Sequence, residues 1–157
     1  MLKWHVKELI EARGMSMGKL SRSTGRESKK GKAMRIWVID TSRITRKILE
    51  VSLGRAGYEV RTFAEPLEAL QVLHTLADVL PDVVCVAARL PRIDGYEVMQ
   101  YIRKRSRYDR IVLIGLLTRD DGYLGRVKIR LAGARQYLVK PLRTDEVLAV
   151  FSELSYG

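Results

Sequence analysis

Cysteine, histidine, proline and large aromatic residues are all scarce in this 157-residue sequence, which has one Cys, two His, four Pro, two Trp and two Phe. The lone Cys85 excludes an internal disulfide, and no cysteine–histidine cluster offers a zinc site. Cys85 lies in the apolar run Val83–Val86, which reads as a buried structural thiol rather than a nucleophile. The lack of disulfide chemistry fits a reducing, cytoplasmic setting. No apolar stretch approaches the roughly 20 residues a membrane-spanning helix needs. Lys3, Lys7, Glu8 and Glu11 interrupt any secretory hydrophobic region. His5 and His74 are isolated, and no Ser-His-Asp set, glycine-rich phosphate loop or paired glycosidase carboxylates appear. The expectation is a non-enzymatic protein without metal or cofactor.

Acidic residues are also in short supply. Eighteen Asp/Glu face 29 Lys/Arg, for a net charge of +11. Residues 1–33 hold nine Lys/Arg against three Asp/Glu, so over half the excess sits in about a fifth of the chain. Such a balance points to a polyanionic partner, nucleic acid first, with an acidic protein or anionic surface behind it. No membrane partner is retained. The plainer alternative is a solvated basic tail.

The organisation is bipartite. Ser21 to Lys32 is rich in Ser, Gly and Lys, nearly free of apolar residues, and ends in Lys29-Lys30-Gly31-Lys32. This linker chemistry divides a basic extension, residues 1–33, from a domain at 34–157. Within the domain, strand and helix signals alternate. Ile36–Ile39 reads as a strand, and Ser42 as the cap of a helix carrying Ile44, Ile48 and Val51 at helical spacing. Tyr58–Phe63 alternates like a strand. Pro66 opens a helix with Leu67, Leu70 and Leu73 on one face. Val83–Val86 is a strand buried on both faces. Tyr96–Arg105 (helix), Ile111–Leu117 (strand), Asp121–Ala132 (helix), Gln136–Val139 (strand) and Thr144–Leu154 (helix) complete five strands and five helices. The expected fold is α/β, a five-stranded parallel sheet covered on both faces. The functional crevice of such sheets lies at the carboxyl ends of the strands. Asp40, Ala87, the Leu117–Thr118 region and Lys140 all fall there.

The ordered set Ile39-Asp40, Ser42-Arg43, Leu90-Pro91-Arg92-Ile93-Asp94-Gly95-Tyr96-Glu97 and Gly133-Ala134-Arg135-Gln136-Tyr137-Leu138-Val139-Lys140-Pro141 resembles the receiver domain of bacterial two-component response regulators. The resemblance covers essentially all of 34–157 and implies a (βα)5 flavodoxin-like fold. In that family, acidic residues after the first strand help hold magnesium, and an aspartate ending the third strand accepts a phosphoryl group. A lysine after the fifth strand pairs with the phosphoryl oxygens. A Ser or Thr after the fourth strand and an aromatic residue on the fifth form a switch. By that resemblance Asp40 matches the first acidic position, and the second is Thr41. Ala87 replaces the phosphoacceptor, Lys140 matches the lysine, and Lys140-Pro141 matches a cis bond. Tyr137 matches the switch aromatic. For the switch hydroxyl, counting back from Gly133 gives Thr118, whereas counting forward from Asp109 lands on Leu116. A methyl group cannot form an acyl phosphate, so no catalytic residue is assigned. With two of three carboxylates gone, magnesium is expected to bind very weakly, and Lys140 to pair with Asp40. Arg89 adds a cation, so the pocket is either internally neutralised or able to hold an anion. Asp120-Asp121 reads as an electrostatic cap of the fourth helix.

Trp4 to Gly25, with Arg13-Gly14-Met15-Ser16 and Leu20-Ser21, looks like the first two helices of a Cro/repressor-type helix-turn-helix. The polar Arg26–Lys32 stretch cannot supply the recognition helix that should follow. Three readings stay open: a helical hairpin packed on the receiver or a second chain, burying part of Trp4 and Trp37; a basic arm touching phosphates through Lys19, Arg22, Arg26, Lys29, Lys30 and Lys32; or an extension upstream of Met34.

The leading functional expectation is a non-phosphorylatable receiver serving as a protein-interaction module. Its partner is another protein or a second copy, met through the face of the fourth helix, fifth strand and fifth helix. That face offers Asp121, Arg126, Lys128, Arg130, Arg135 and Glu146, whose opposite charges pair across a two-fold interface. The alternative is a DNA-binding regulator using the basic N-terminal segment.

Overall fold

The computed structural model describes residues 33–76 and 79–156. The expectations for Trp4, His5, the helix-turn-helix-like segment and Lys19, Arg22, Arg26, Lys29, Lys30 and Lys32 lie outside the described residues.

Five strands form one sheet: β1 (Arg35–Ile39), β2 (Glu59–Phe63), β3 (Val83–Ala87), β4 (Val112–Leu117) and β5 (Ala134–Val139). All neighbours pair in parallel, in the order β2-β1-β3-β4-β5. The connections are helices α1 (Arg43–Arg55), α2 (Pro66–Thr75), α3 (Gly95–Arg103) and α4 (Gly122–Leu131), and α5 (Thr144–Tyr156) follows β5. Short 3-10 turns at Ser106–Tyr108 and Arg119–Asp121 precede β4 and α4.

Alternation along each strand splits the core in two. Trp37 and Ile39 join Phe63, Leu70, Val84, Met99 and Ile102 on one side of the sheet. Ile36 and Val38 join Leu49, Leu53, Cys85 and Phe151 on the other. Burial on both faces is why β3 reads Val-Val-Cys-Val-Ala without a polar residue. Trp37 is buried, its ring centroid 4.8 Å from that of Phe63.

One periodic reading is corrected. The stripe of α1 that meets the core is Thr45, Leu49 and Leu53. Ile44 is 72% exposed and Val51 37%. Both stripes have helical spacing; the sheet and α5 select the one that begins at Thr45. The start of the helix is as expected, with Ser42 Oγ accepting from the Thr45 amide at 3.2 Å.

The order of the sheet places the site. The chain moves from β1 outward to β2, then returns to β3 on the other side of β1. Between β1 and β3 a crevice therefore opens at the carboxyl ends. Ile39 pairs with Val86, so Asp40 and Ala87 follow on adjacent strands at that crevice. Gly95 closes the loop after β3: its amide donates to the Ala88 carbonyl at 3.0 Å. A Cβ at Gly95 would overlap the Ala87 carbonyl, so only glycine lets α3 start this close to β3.

Candidate functional site

Asp40 is 1% exposed. Its Oδ1 accepts from the Ser42 amide at 2.9 Å, and its Oδ2 lies 2.7 Å from Lys140 Nζ. The contact between Oδ2 and the Lys140 ammonium is a close ion pair. Lys140 is delivered by the end of β5, where its amide donates to the Leu117 carbonyl at 2.7 Å and the Lys140–Pro141 bond is cis. Arg46 ties the start of α1 to the same corner, its Nη1 donating to the carbonyls of Asp40 at 2.9 Å and Thr41 at 3.1 Å.

The other expected site residues fall around this pair. Ala87 is buried beside it, at the last position of β3, and presents only a methyl group. Thr41 is exposed. Leu116 is buried within β4 opposite Ala87, whereas Thr118 follows the strand and is half-buried. Of the two candidates for the switch position, only Thr118 brings a hydroxyl to the strand end. Tyr137 is half-buried on β5, level with Gly115, with the Arg126 guanidinium 5.9 Å from its ring centroid.

A second cluster brings together three residues that the sequence names separately. Arg89 sends both Nε and Nη2 to Asp121 Oδ1 at 3.0 Å. Asp121 Oδ2 accepts from the Thr118 amide at 2.7 Å and its hydroxyl at 3.2 Å. The loop after β3 is thereby clamped to the loop after β4. Burial pushes the Asp121 carboxyl up, but the Thr118 amide, the Arg89 guanidinium and the Thr118 hydroxyl outweigh it, and the group sits below the usual aspartate range. The Thr118-Arg119-Asp120-Asp121 spelling is a capping-box pattern and is the one local signal for this cluster. Arg89, 32 positions from Asp121, carries none.

Asp121 is the N-cap residue of α4, and its carboxylate turns back to Thr118 rather than making a side-chain hydrogen bond to the helix. One expectation about Asp121 is corrected: it does not belong to an exposed pairing face, because its side chain is 6% exposed and already neutralised by Arg89. Lys128 is exposed, with its ammonium 4.9 Å from the Tyr96 ring of α3. Arg126, Arg130, Arg135 and Glu146 are exposed as well. Burial pushes the Cys85 thiol far above its ordinary range, leaving it inert in the core.

The family model of the response regulator receiver domain matches residues 36–152. The chain belongs to this family. This receiver, a domain of two-component signalling, is 32% identical over 115 residues to protein PilG of Pseudomonas aeruginosa, covering 73% of this chain and 82% of PilG. It is 37% identical over 116 residues to response regulator MprA of a Mycobacterium species, covering 74% of this chain but only 48% of MprA. Chemotaxis response regulator CheY4 of Vibrio cholerae superposes with a TM-score of 0.70 at 25% identity, over 78% of this chain and 98% of CheY4. Among the described residues, no helix is long and apolar enough to cross a membrane.

The family's magnesium does not fit the residues present. An octahedral ion needs several oxygen ligands. In this receiver Asp40 Oδ1 is engaged by the Ser42 amide, Oδ2 faces an ammonium, and Ala87 supplies no oxygen from its side chain. Among the described residues, no group of three His, Cys, Asp or Glu side chains is placed to hold a metal.

Removing one half of the pair strands the other. Lys140→Met is expected to lower the unfolding free energy by about 2 kcal/mol, below the roughly 3–5 kcal/mol of fully buried pairs, because Lys140 keeps 22% of its side chain exposed. Urea denaturation checks this, and Asp40→Asn combined with Lys140→Met should recover part of the loss. The clamp has a pH signature. Because the folded-state value of Asp121 is depressed, its stabilisation is fully present above the ordinary aspartate value of about 3.9 and is lost as pH falls below it. Asp121→Asn should flatten that acid limb in denaturation curves measured between neutral and low pH.

Proposed function

We propose that this receiver has given up aspartyl phosphorylation and acts in the cytoplasm as a non-enzymatic protein-interaction module. One observation carries the reading: the strand end that would bear the acceptor presents the buried methyl of Ala87, beside an aspartate already neutralised by Lys140. The pocket then needs no phosphoryl group to balance its lysine. Arg89, Asp121 and Thr118 hold the β3 and β4 loops together with the chain's own charges. Signalling by such a module depends on what it binds. With Asp121 withdrawn, the face of α4, β5 and α5 exposes Arg126, Arg130 and Arg135 against Glu146. A mostly cationic face suits an acidic partner protein better than a second copy of itself.

A second reading makes the chain a DNA-associated regulator through residues 1–33. It rests on the nine Lys/Arg against three Asp/Glu in that stretch.

Incubation with acetyl phosphate and magnesium should leave the intact mass unchanged, and gain of one phosphoryl group in a hydroxylamine-labile linkage would sink the first reading. For the second, fluorescence anisotropy with random-sequence duplex DNA should show tighter binding and a steeper salt dependence for the wild-type chain than for Lys29→Ala/Lys30→Ala/Lys32→Ala. Every lysine that neutralises a phosphate should add about 0.9 to the slope. Equal slopes would remove these lysines from the interface.

A further inference from the structure

The end of the sheet opposite the pocket gathers a group of arginines; Arg35 pairs with Glu59 there, and Asp82 and Asp109 lie at the same end, but most of these arginines form no ion pair among the described residues. α3 runs into the segment Arg103-Lys104-Arg105-Ser106-Arg107-Tyr108-Asp109-Arg110. Arg103 staples this segment, donating to the carbonyls of Tyr108 at 2.9 Å and Ile111 at 2.8 Å. The stem of Arg103 also lies against Gly133, which brings the turn between α4 and β5 alongside. Arg105 stacks 3.7 Å from the Tyr101 ring centroid and donates to the Tyr101 carbonyl. Arg107 donates to the carbonyls of His74 and Leu76. Arg110 is exposed and lines a cleft with Ala33, Met34, Arg35 and Asp82. Arg135 is the residue left without a cross-strand counterpart where the β4–β5 register slips between Ala134 and Gln136, and it is exposed. A bulge of this kind re-aims a side chain.

At the carboxyl ends of the strands Arg89, Arg92, Lys140 and Arg143 are each paired with Asp or Glu, while Arg43 and Arg119 form no ion pair among the described residues. Among the described residues, no carboxylate forms an ion pair with Arg105, Arg107, Arg110, Arg130 or Arg135. Complementing helix dipoles accounts for Arg55 and Arg130, which sit in the last turns of α1 and α4. It does not account for Arg107, Arg110 and Arg135, which lie outside any α-helix. The chain also enters β1 at this end.

We infer that the amino-terminal end of the sheet, centred on Arg107, Arg110 and Arg135, binds the phosphate backbone of duplex DNA. Guanidinium forks match the paired oxygens of a phosphodiester, and two of the arginines in this patch are pre-oriented by stacking or carbonyl contacts. Tyr101 and Tyr108 beside these arginines are buried and Tyr58 in the Arg110 cleft is half-buried, so no exposed ring among the described residues of this patch offers a base-stacking platform. Contact is to backbone, without sequence readout. The inference is independent of the phosphorylation reading. It differs from the N-terminal reading in placing the contacts on the receiver domain itself.

The test is anisotropy of the full chain with a random-sequence duplex across a salt series. The variant Arg107→Ala/Arg110→Ala/Arg135→Ala should bind about tenfold or more weakly at low salt, with a slope shallower by about 2 to 3. Arg107→Lys/Arg110→Lys/Arg135→Lys should retain the slope, which separates missing charge from a damaged fold. Arg43→Ala/Arg119→Ala/Arg126→Ala removes the same charge elsewhere and should leave the slope close to that of wild type. An equal loss in this control would overturn the inference, as would no duplex binding by the wild type. Binding lost on Lys29→Ala/Lys30→Ala/Lys32→Ala but untouched by the arginine variant would favour the N-terminal segment and also overturn it. Arginine-dependent binding to phosphatidylserine vesicles without duplex binding would assign the face to a lipid surface and reject DNA.

Discussion

A carboxylate buried at the end of a strand must be answered by a cation, and the ion pair of Asp40 with Lys140 meets that demand across the sheet. Asp40 follows β1 and Lys140 follows β5, so the two meet only when β3 and β4 stand in register between them. The pair thus depends on the sheet and also ties its carboxyl end together. In this chain the cation is already committed, and the neighbouring Ala87 adds no negative charge to compete for it.

Arg89, Asp121 and Thr118 extend the same logic sideways. The loop after β4 is held by an internal anion that one arginine neutralises and one threonine caps. The two networks pair Lys140 and Arg89 at the carboxyl end of the sheet. At the opposite end Arg107, Arg110 and Arg135 have no ion-pair partner among the described residues. Which charges pair is a property of the folded chain rather than of its composition.

Much of this is legible in the residues. Strands buried on both faces announce themselves as unbroken apolar runs, and β3 and β4 are readable for that reason. Ser42 marks the start of α1 through the chemistry of its hydroxyl. The phase of α1 is not readable, because Ile44 and Val51 have the same kind of spacing as Thr45, Leu49 and Leu53; only the surface packed against the helix distinguishes them. The position of Asp121 before α4 suggests a cap, yet its carboxylate is drawn backward by Thr118 and across by Arg89.

By itself the sequence determined the class of sheet and the positions of the strand ends, since each depends on local hydrophobic pattern. Only the tertiary structure decided which charges meet. Asp40 and Lys140 are 100 positions apart, and Arg89 and Asp121 are 32 apart. Such pairings are set by strand order and register, which no local pattern encodes. The gathering of Arg107, Arg110 and Arg135 at one end is likewise a consequence of where the helices stop and the bulge falls. Residue types supplied the charges, and the parallel fold decided which of them meet.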